Sequence, residues 1–178
     1  DTPEKQAKYV KTIANKVNDM DKLIDELTIY SRLDANRVLY TFVKFDVSEY
    51  FDDCCDEIGT ELDAAGIELN YRNHIKEPVI IAADPEQLKR VINNIISNSV
   101  KYMAEGRKGK IDIDLYDESD YVHIIIADNG KGIAGKDVSH IFERFYRTDE
   151  SRNSKQGGSG IGLAIVKKIV EDHKGKIW

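Results

Sequence analysis

Long apolar runs, a surplus of basic residues and dispersed cysteines are all missing from this 178-residue sequence. No hydrophobic stretch approaches the roughly 18 to 20 residues that a membrane-spanning helix needs, and the polar opening DTPEKQ has nothing of a signal peptide. A cytoplasmic module is expected, whether or not a longer parent is anchored in the cell membrane. The formal charge of -6, with Lys and Arg scattered among Asp and Glu, leaves no electrostatic footprint for a nucleic acid backbone or an anionic bilayer. A basic partner surface or a cation-chelated anion fits it better. The two cysteines, Cys54 and Cys55, are adjacent, which gives neither metal-ligand spacing nor a pair of structural disulfides. They read as reduced thiols in or beside a core. Internal repeats are absent too. What is present, 41% hydrophobic residues, fills the core of one ordinary domain with an appended element.

The first pattern along the chain is a seam. Val10, Ile13, Val17, Met20, Ile24 and Leu27 alternate three and four apart, which predicts a coiled-coil-like helix over about 10–30. Leu23, Tyr30 and Leu33 widen the stripe, so a bundle of more than two helices is expected; an ordinary amphipathic helix lying on its own domain is the alternative. Beyond the polar residues 34–37, VLYTFVKFDV at 38–47 has strand composition. Asp46 and Glu49 then form a capping-box pair for a helix with the apolar face Val47, Phe51, Cys54 or Cys55, Ile58, Leu62 and Ala65, ended by Gly66. Residues 67–70 and 79–82 are short strand candidates. Asp84, Pro85 and Gln87 open a long helix to about Met103. Residues 111–116 and 121–127, separated by DESD, read as an antiparallel hairpin. A glycine-rich polar stretch follows, loop-forming over 147–160, and 161–170 closes the sequence as a helix. Helix and strand in this order predict an α+β fold, a two-layer sandwich.

Three segments have the composition of a binding site. Asn94, Asn98 and Lys101 fall on one polar stripe of the predicted helix, beside the apolar arc of Leu88, Val91, Ile92, Ile95 and Ile96. A carboxamide oxygen is a neutral, hard ligand that completes an Mg²⁺ shell otherwise made of phosphate oxygens and water, and a lysine nearby takes the same phosphates. Helix asparagines are also commonly plain solvated residues, so the stripe needs company. DNGKGI at 128–133 supplies it: an aspartate at a strand end accepts a hydrogen bond from an exocyclic amine, and Gly130 and Gly132 let the backbone pass close to a planar ring. That suits adenine, although an Asp-Asn-Gly turn also simply joins strands. GGSGIG at 157–162 runs straight into the last helix, so its N-H groups and the helix N-terminus can cradle phosphate oxygens. Between the glycine clusters, FERFYR at 142–147 and the polar stretch holding Arg152 and Lys155 have the composition of a lid, with Arg147 able to reach a terminal phosphate.

Taken in order, these pieces resemble the ATP-binding domain of sensor histidine kinases, within the superfamily shared with gyrase, heat-shock chaperone and mismatch-repair ATPases. NIISNSVKY at 94–102 is similar to the asparagine box and DNGKGI to the first glycine box. FERFYR and GGSGIGLAI are similar to the phenylalanine box and the second glycine box of the kinase branch. MDKLIDELTIYSRLDA resembles the second helix of the dimerisation and phosphotransfer hairpin. The resemblance covers nearly all of the chain. It implies that residues 1–37 are part of that hairpin and 38–178 an ATP-binding kinase domain without its C-terminal strands, folded as a mixed sheet covered by helices on one face.

Carried over residue by residue, the resemblance makes Asn98 the Mg²⁺ ligand with Asn94 assisting, Lys101 and Tyr102 phosphate or ribose contacts, and Asp128 the acceptor for the adenine amine. Gly130, Gly132 and Ile133 line the base pocket, Phe142 and Phe145 anchor the lid, and Arg147 reaches the γ-phosphate. Gly158, Ser159, Gly160, Ile161, Gly162 and Leu163 wrap the phosphates and base. ATP and Mg²⁺ are the implied cofactors. The implied partners are a second copy, through the N-terminal helix of the full-length protein, and a response regulator receiver domain, with no nucleic acid and no membrane contact by this stretch. The family's acceptor histidine lies on the first hairpin helix, and none of His74, His123, His140 and His173 sits in a matching context. The stretch alone is therefore expected not to autophosphorylate. The family also continues with two strands past the position of Trp178, so one sheet edge is expected to be exposed.

Two activities fit such a pocket: phosphoryl donation to a histidine, or an ATP-driven switch of the gyrase and chaperone type. The second needs a general base, usually a glutamate, on the asparagine helix. One turn before Asn98 this sequence has Asn94, and its Glu86 is two turns further back, which favours the kinase. A third reading, a regulatory piece with a degenerate pocket, conflicts with motifs that are all intact.

Overall fold

A computed structural model describes residues 2–35, 38–148 and 158–178. Helix starts are fixed by short acidic side chains. Asp46 Oδ1 accepts from the N-H groups of Ser48 and Glu49 at 2.8 and 3.2 Å and opens α2, Val47–Ala64. Asp84 Oδ1 accepts from Gln87 N-H at 3.1 Å and opens α3, Pro85–Lys101. Each cap satisfies N-H groups that the first turn leaves without helical partners. Gly66, at φ +72°, lets the chain leave α2 by a left-handed turn. The first helix, α1, runs unbroken over Pro3–Asp34.

The strands are β1, Val43–Asp46; β2, Glu68–Asn73; β3, Ile80–Ala83; β4, Lys110–Glu118; and β5, Tyr121–Asp128. The last helices are the short α4, Gly135–Val138, and α5, Gly162–Asp172. The sheet is mixed, as expected, and divides in two. β1 and β3 form an antiparallel pair; β2 runs parallel to β4, which pairs antiparallel with β5, in the order β2-β4-β5. Of the predicted strand over 38–47 only Val43–Asp46 forms, because β3 offers just four residues to pair with it. The residues before it turn instead to α5, where the Tyr40 hydroxyl donates to Asp172 at 2.7 Å and Val38 joins the α5 core. The hairpin is longer than DESD suggests: its strands pair out to Glu118 and Tyr121, and Ser119 turns the chain at φ 55°.

Alternation on β4 separates the layers. Ile111, Ile113 and Leu115 are buried against Val47, Phe51, Cys54, Cys55, Ile58 and Leu62 of α2 and Ile92 and Ile96 of α3. Asp112 and Asp114 point the other way, where Arg72 of β2 grips Asp114 at 2.6 Å and holds its carboxyl down at about 2. α3 also contributes Val91 to a second core with Ile161, Ile165, Val166 and Ile169 around α5, and Leu33 of α1 is buried there, 1% exposed. α3 is thus the shared wall of both cores. His173 fastens α5 to the start of α3: its Nε2 accepts from Asp84 N-H at 3.0 Å while Nδ1 donates to the Ile169 carbonyl at 2.8 Å. The predicted seam of α1 is uncovered for most of its length, with Val10, Ile13 and Ile24 each more than half exposed.

Candidate functional site

The polar stripe of α3 faces the second glycine segment. Asn94 and Asn98 are half-buried one turn apart. A Cβ added to Gly162, the first residue of α5, would stand 3.5 Å from Asn94 Oδ1. At the other end of the stripe the Lys101 ammonium lies 5.0 Å from the centroid of the Tyr102 ring and so close to Gly158 that any side chain there would collide with it. Two of the three residues chosen from helical spacing, Asn94 and Lys101, therefore stand at the two ends of the segment 158–162, with Asn98 between them on the helix. The arrangement joins a cation, two carboxamides and a glycine backbone at the N-terminus of a helix, a set that matches phosphate oxygens and a hard cation. Among the described residues no group of three His, Cys, Asp or Glu could hold a metal alone, so a cation here would draw on carboxamides and on oxygens of its ligand.

Asp128 stands at the end of β5, opposite Ile111, with its side chain on the α3 face of the sheet. Its Oδ2 accepts from the Ser99 hydroxyl at 2.9 Å and its Oδ1 from Gly130 N-H at 2.8 Å. A side chain at Gly130 would stand 2.7 Å from both Asp128 Oδ1 and the Tyr102 carbonyl oxygen, and the same carbonyl accepts from Lys131 N-H at 3.0 Å. The first glycine segment is thereby clamped to the end of α3. Asn129 stiffens it further, accepting from Lys110 N-H and donating to the Lys108 carbonyl, both at 2.9 Å, while Arg107 donates to the Gly130 carbonyl at 2.7 Å. Gly132 sits at φ +76°, where an L side chain is strained, and Ile133 is half exposed.

The phenylalanine segment contacts the second glycine segment through backbone. Phe145 N-H donates to the Gly160 carbonyl at 2.9 Å, and a side chain at Gly160, φ +72°, would press on the backbone of Phe145 and Tyr146. Phe142 is half-buried, but Phe145 is 60% exposed and takes φ +60°, so it does not anchor the segment by packing. Tyr146 does, its hydroxyl donating to the buried Asp137 at 2.7 Å. Arg147 is half-buried beside it. Arg152, Lys155 and Gly157 lie outside the described residues.

Residues that the sequence reading passed over hold this site together. Ser99 had a local signal, a hydroxyl on the arc that otherwise carries Ile92 and Ile96. Glu26 and Asp34 of α1 had none. The Ser159 hydroxyl donates to the Glu26 carboxylate and accepts from Ile161 N-H at 3.0 Å. Arg144 pairs with Asp34 at 2.5 Å and lies 4.7 Å over the ring of Tyr30.

Residues 83–178 match the family described as histidine kinase-, DNA gyrase B-, and HSP90-like ATPase. The sensor histidine kinase WalK of Bacillus subtilis is 32% identical over 171 residues, 96% of this chain and 28% of that protein. The sensor protein VanS of Enterococcus faecium is 33% identical over 98% of this chain and 44% of its own length. The chain thus spans less than half of these curated relatives. Among solved structures, the histidine kinase ThkA in complex with the response regulator protein TrrA aligns with a TM-score of 0.75 and 27% identity, over all of this chain and 48% of that one.

Proposed function

We propose, for a chain that belongs to the histidine kinase-, DNA gyrase B- and HSP90-like ATPase family, that it is the ATP-binding catalytic part of a sensor histidine kinase. In this reading residues 38–178 are the kinase domain and 1–37 part of the second hairpin helix. The γ-phosphoryl group goes to a histidine on a separate helix of a homodimer, and from there to an aspartate of a response regulator receiver domain. One observation carries the proposal: Asn94 and Lys101 reach the two ends of the segment 158–162, while Asp128 is pinned by Ser99 to the last turn of the same helix.

Mg-ATP, when bound, supplies the phosphoryl group and neutralises its charge. Asn98, with Asn94, offers carboxamide oxygens to the cation. Lys101 and Arg147 neutralise phosphate oxygens, and Tyr102 borders the ribose. Asp128 accepts from the adenine amine against the backbone of Gly130, Gly132 and Ile133. Gly158, Ser159, Gly160, Ile161, Gly162 and Leu163 enclose the phosphates, with Phe142 and Phe145 in the segment above. Imidazole is its own nucleophile, so the domain needs no base. Asn94, half-buried and near Gly162, stands where an ATPase switch would carry one.

Calorimetric titration separates these roles. The chain should bind Mg-ATP, and Asn98→Ala should remove most of the Mg²⁺ dependence of that affinity while leaving adenosine binding unchanged. A chain that binds no adenine nucleotide, or an Asn98→Ala variant with undiminished Mg²⁺ dependence, would overturn the assignment.

A further inference from the structure

Buried polar side chains among the described residues are Asp84, Ser99 and Asp137. Asp84 caps α3, and Asp137 accepts from Tyr146. Ser99, 5% exposed, sits on the apolar arc of α3, where packing alone gives no reason for a hydroxyl. A serine inside a helix commonly returns its hydroxyl to the carbonyl one turn back. This one donates instead to Asp128 Oδ2, at 2.9 Å, while Gly130 N-H takes Oδ1 at 2.8 Å. The two donors hold different oxygens of one carboxylate. Rotation about the Cβ–Cγ bond breaks both, and each oxygen keeps a lone pair for a further donor.

We propose that Ser99 sets base selectivity in this pocket by locking the plane of the Asp128 carboxylate, so that a free lone pair is aimed at an exocyclic amine on the purine. The inference rests on the reading of Asp128 given above. Ser99 lies beneath Asp128, on the core side, and acts through it as a positioning residue. Ser99 is buried while Asp128 is exposed, so water reaches the carboxylate but hardly the hydroxyl, and hydrogen bonds to a carboxylate are the strong ones. Without the hydroxyl, Gly130 N-H alone restrains the carboxylate, so its plane rocks more widely about the Cβ–Cγ bond and both oxygens meet an amine in a spread of poses instead of one.

The test compares ATP with purine riboside triphosphate, which lacks the amine at C6, each titrated with Mg²⁺ into the 178-residue chain and its Ser99→Ala variant. The unaltered chain should prefer ATP. In Ser99→Ala that preference should shrink by about tenfold, the size of one hydrogen bond to a charged group, and the affinity for the amine-free analogue should stay the same. Unchanged binding of the analogue also verifies that the variant is folded. Ser99→Cys, which keeps a weak donor, should fall between the two. An undiminished preference in Ser99→Ala would overturn the inference. So would equal weakening of both ligands, since that marks a residue supporting the whole pocket. If the unaltered chain does not distinguish ATP from the analogue, the assignment of Asp128 fails first and the role of Ser99 falls with it.

Discussion

A single carbon decides much at the first glycine segment. At Gly130 an added Cβ would stand 2.7 Å from the Tyr102 carbonyl oxygen, which is backbone and cannot swing aside, whereas at Gly135 it would meet nothing within 4 Å. Gly130→Ala should therefore cost about 1–3 kcal/mol, the usual size of an overpacking strain, and weaken adenine binding by shifting Asp128. Gly135→Ala should leave the denaturation midpoint and nucleotide affinity unchanged; equal effects of the two would show that the close approach is immaterial. The thiols make a second case. Burial pushes Cys55 up to about 12 and raises Cys54 as well, while an unfolded cysteine ionises near about 8.5. Between those values the unfolded chain gives up a proton that the folded chain keeps, so raising the pH favours unfolding. Stability should fall steadily above about pH 8.5, with the half-buried phenols of Tyr50 and Tyr71 adding to it at higher pH. A melting temperature flat from pH 8 to 11 would contradict this. That both cysteines are reduced and buried was legible in the sequence. The bond from Ser99 to Asp128 was not, because it joins positions 29 residues apart.

At the scale of elements, residues near one another in sequence were the legible part. Asp46 and Asp84 announce α2 and α3, the apolar alternation of β4 announces the sheet, and the spacing of Asn94, Asn98 and Lys101 announces one face of α3. The lost part is long-range. The predicted strand over 38–47 is cut to four residues by the short β3, and α1 docks through Glu26, Tyr30, Leu33 and Asp34 onto residues more than a hundred positions away. That docking has a consequence for the nucleotide. Ser159, a proposed phosphate contact, donates its only O-H to the Glu26 carboxylate, and a carboxylate at that loop repels the phosphates expected there. Docking of α1 and nucleotide binding should therefore oppose one another, and by linkage each weakens the other to the same extent. Glu26→Ala should raise ATP affinity about three- to tenfold, in line with about 1 kcal/mol for one exchanged hydrogen bond. Arg144→Ala, which releases the neighbouring contact with Asp34 and Tyr30, should act in the same direction. Weaker ATP binding in both variants would mean that the docked helix assists the site.

For the whole molecule, two kinds of surface remain uncovered. β5 is an outer strand of its sheet, with Tyr121 and Ile125 more than half exposed. Along α1, Val10, Ile13, Val17, Met20, Leu23, Ile24 and Leu27 are between 44% and 66% exposed, and only the end of that helix, at Leu33, reaches a core. A stripe of that length is unusual on a free surface, since contiguous apolar patches mark interaction sites. Its three-four alternation is that of a helix meeting another helix along its axis, whereas a helix lying on its own domain would have buried the same residues. The chain is therefore expected to self-associate through α1, which, in the function proposed above, would bring two copies of the ATP site to one helical bundle. Each isoleucine withdrawn from water contributes about 1.5–3 kcal/mol, so replacing Ile13 and Ile24 together by Asp should weaken the dimer by about a hundredfold or more. Sedimentation across a concentration series should turn from a monomer–dimer equilibrium to monomer. The rest of the fold should not notice, because neither residue belongs to the cores around α3: melting and ATP affinity should match the unaltered chain. A dimer that survives both charges would move the interface elsewhere, to the open edge of β5 first, and would leave the seam of α1 without the role its spacing predicts.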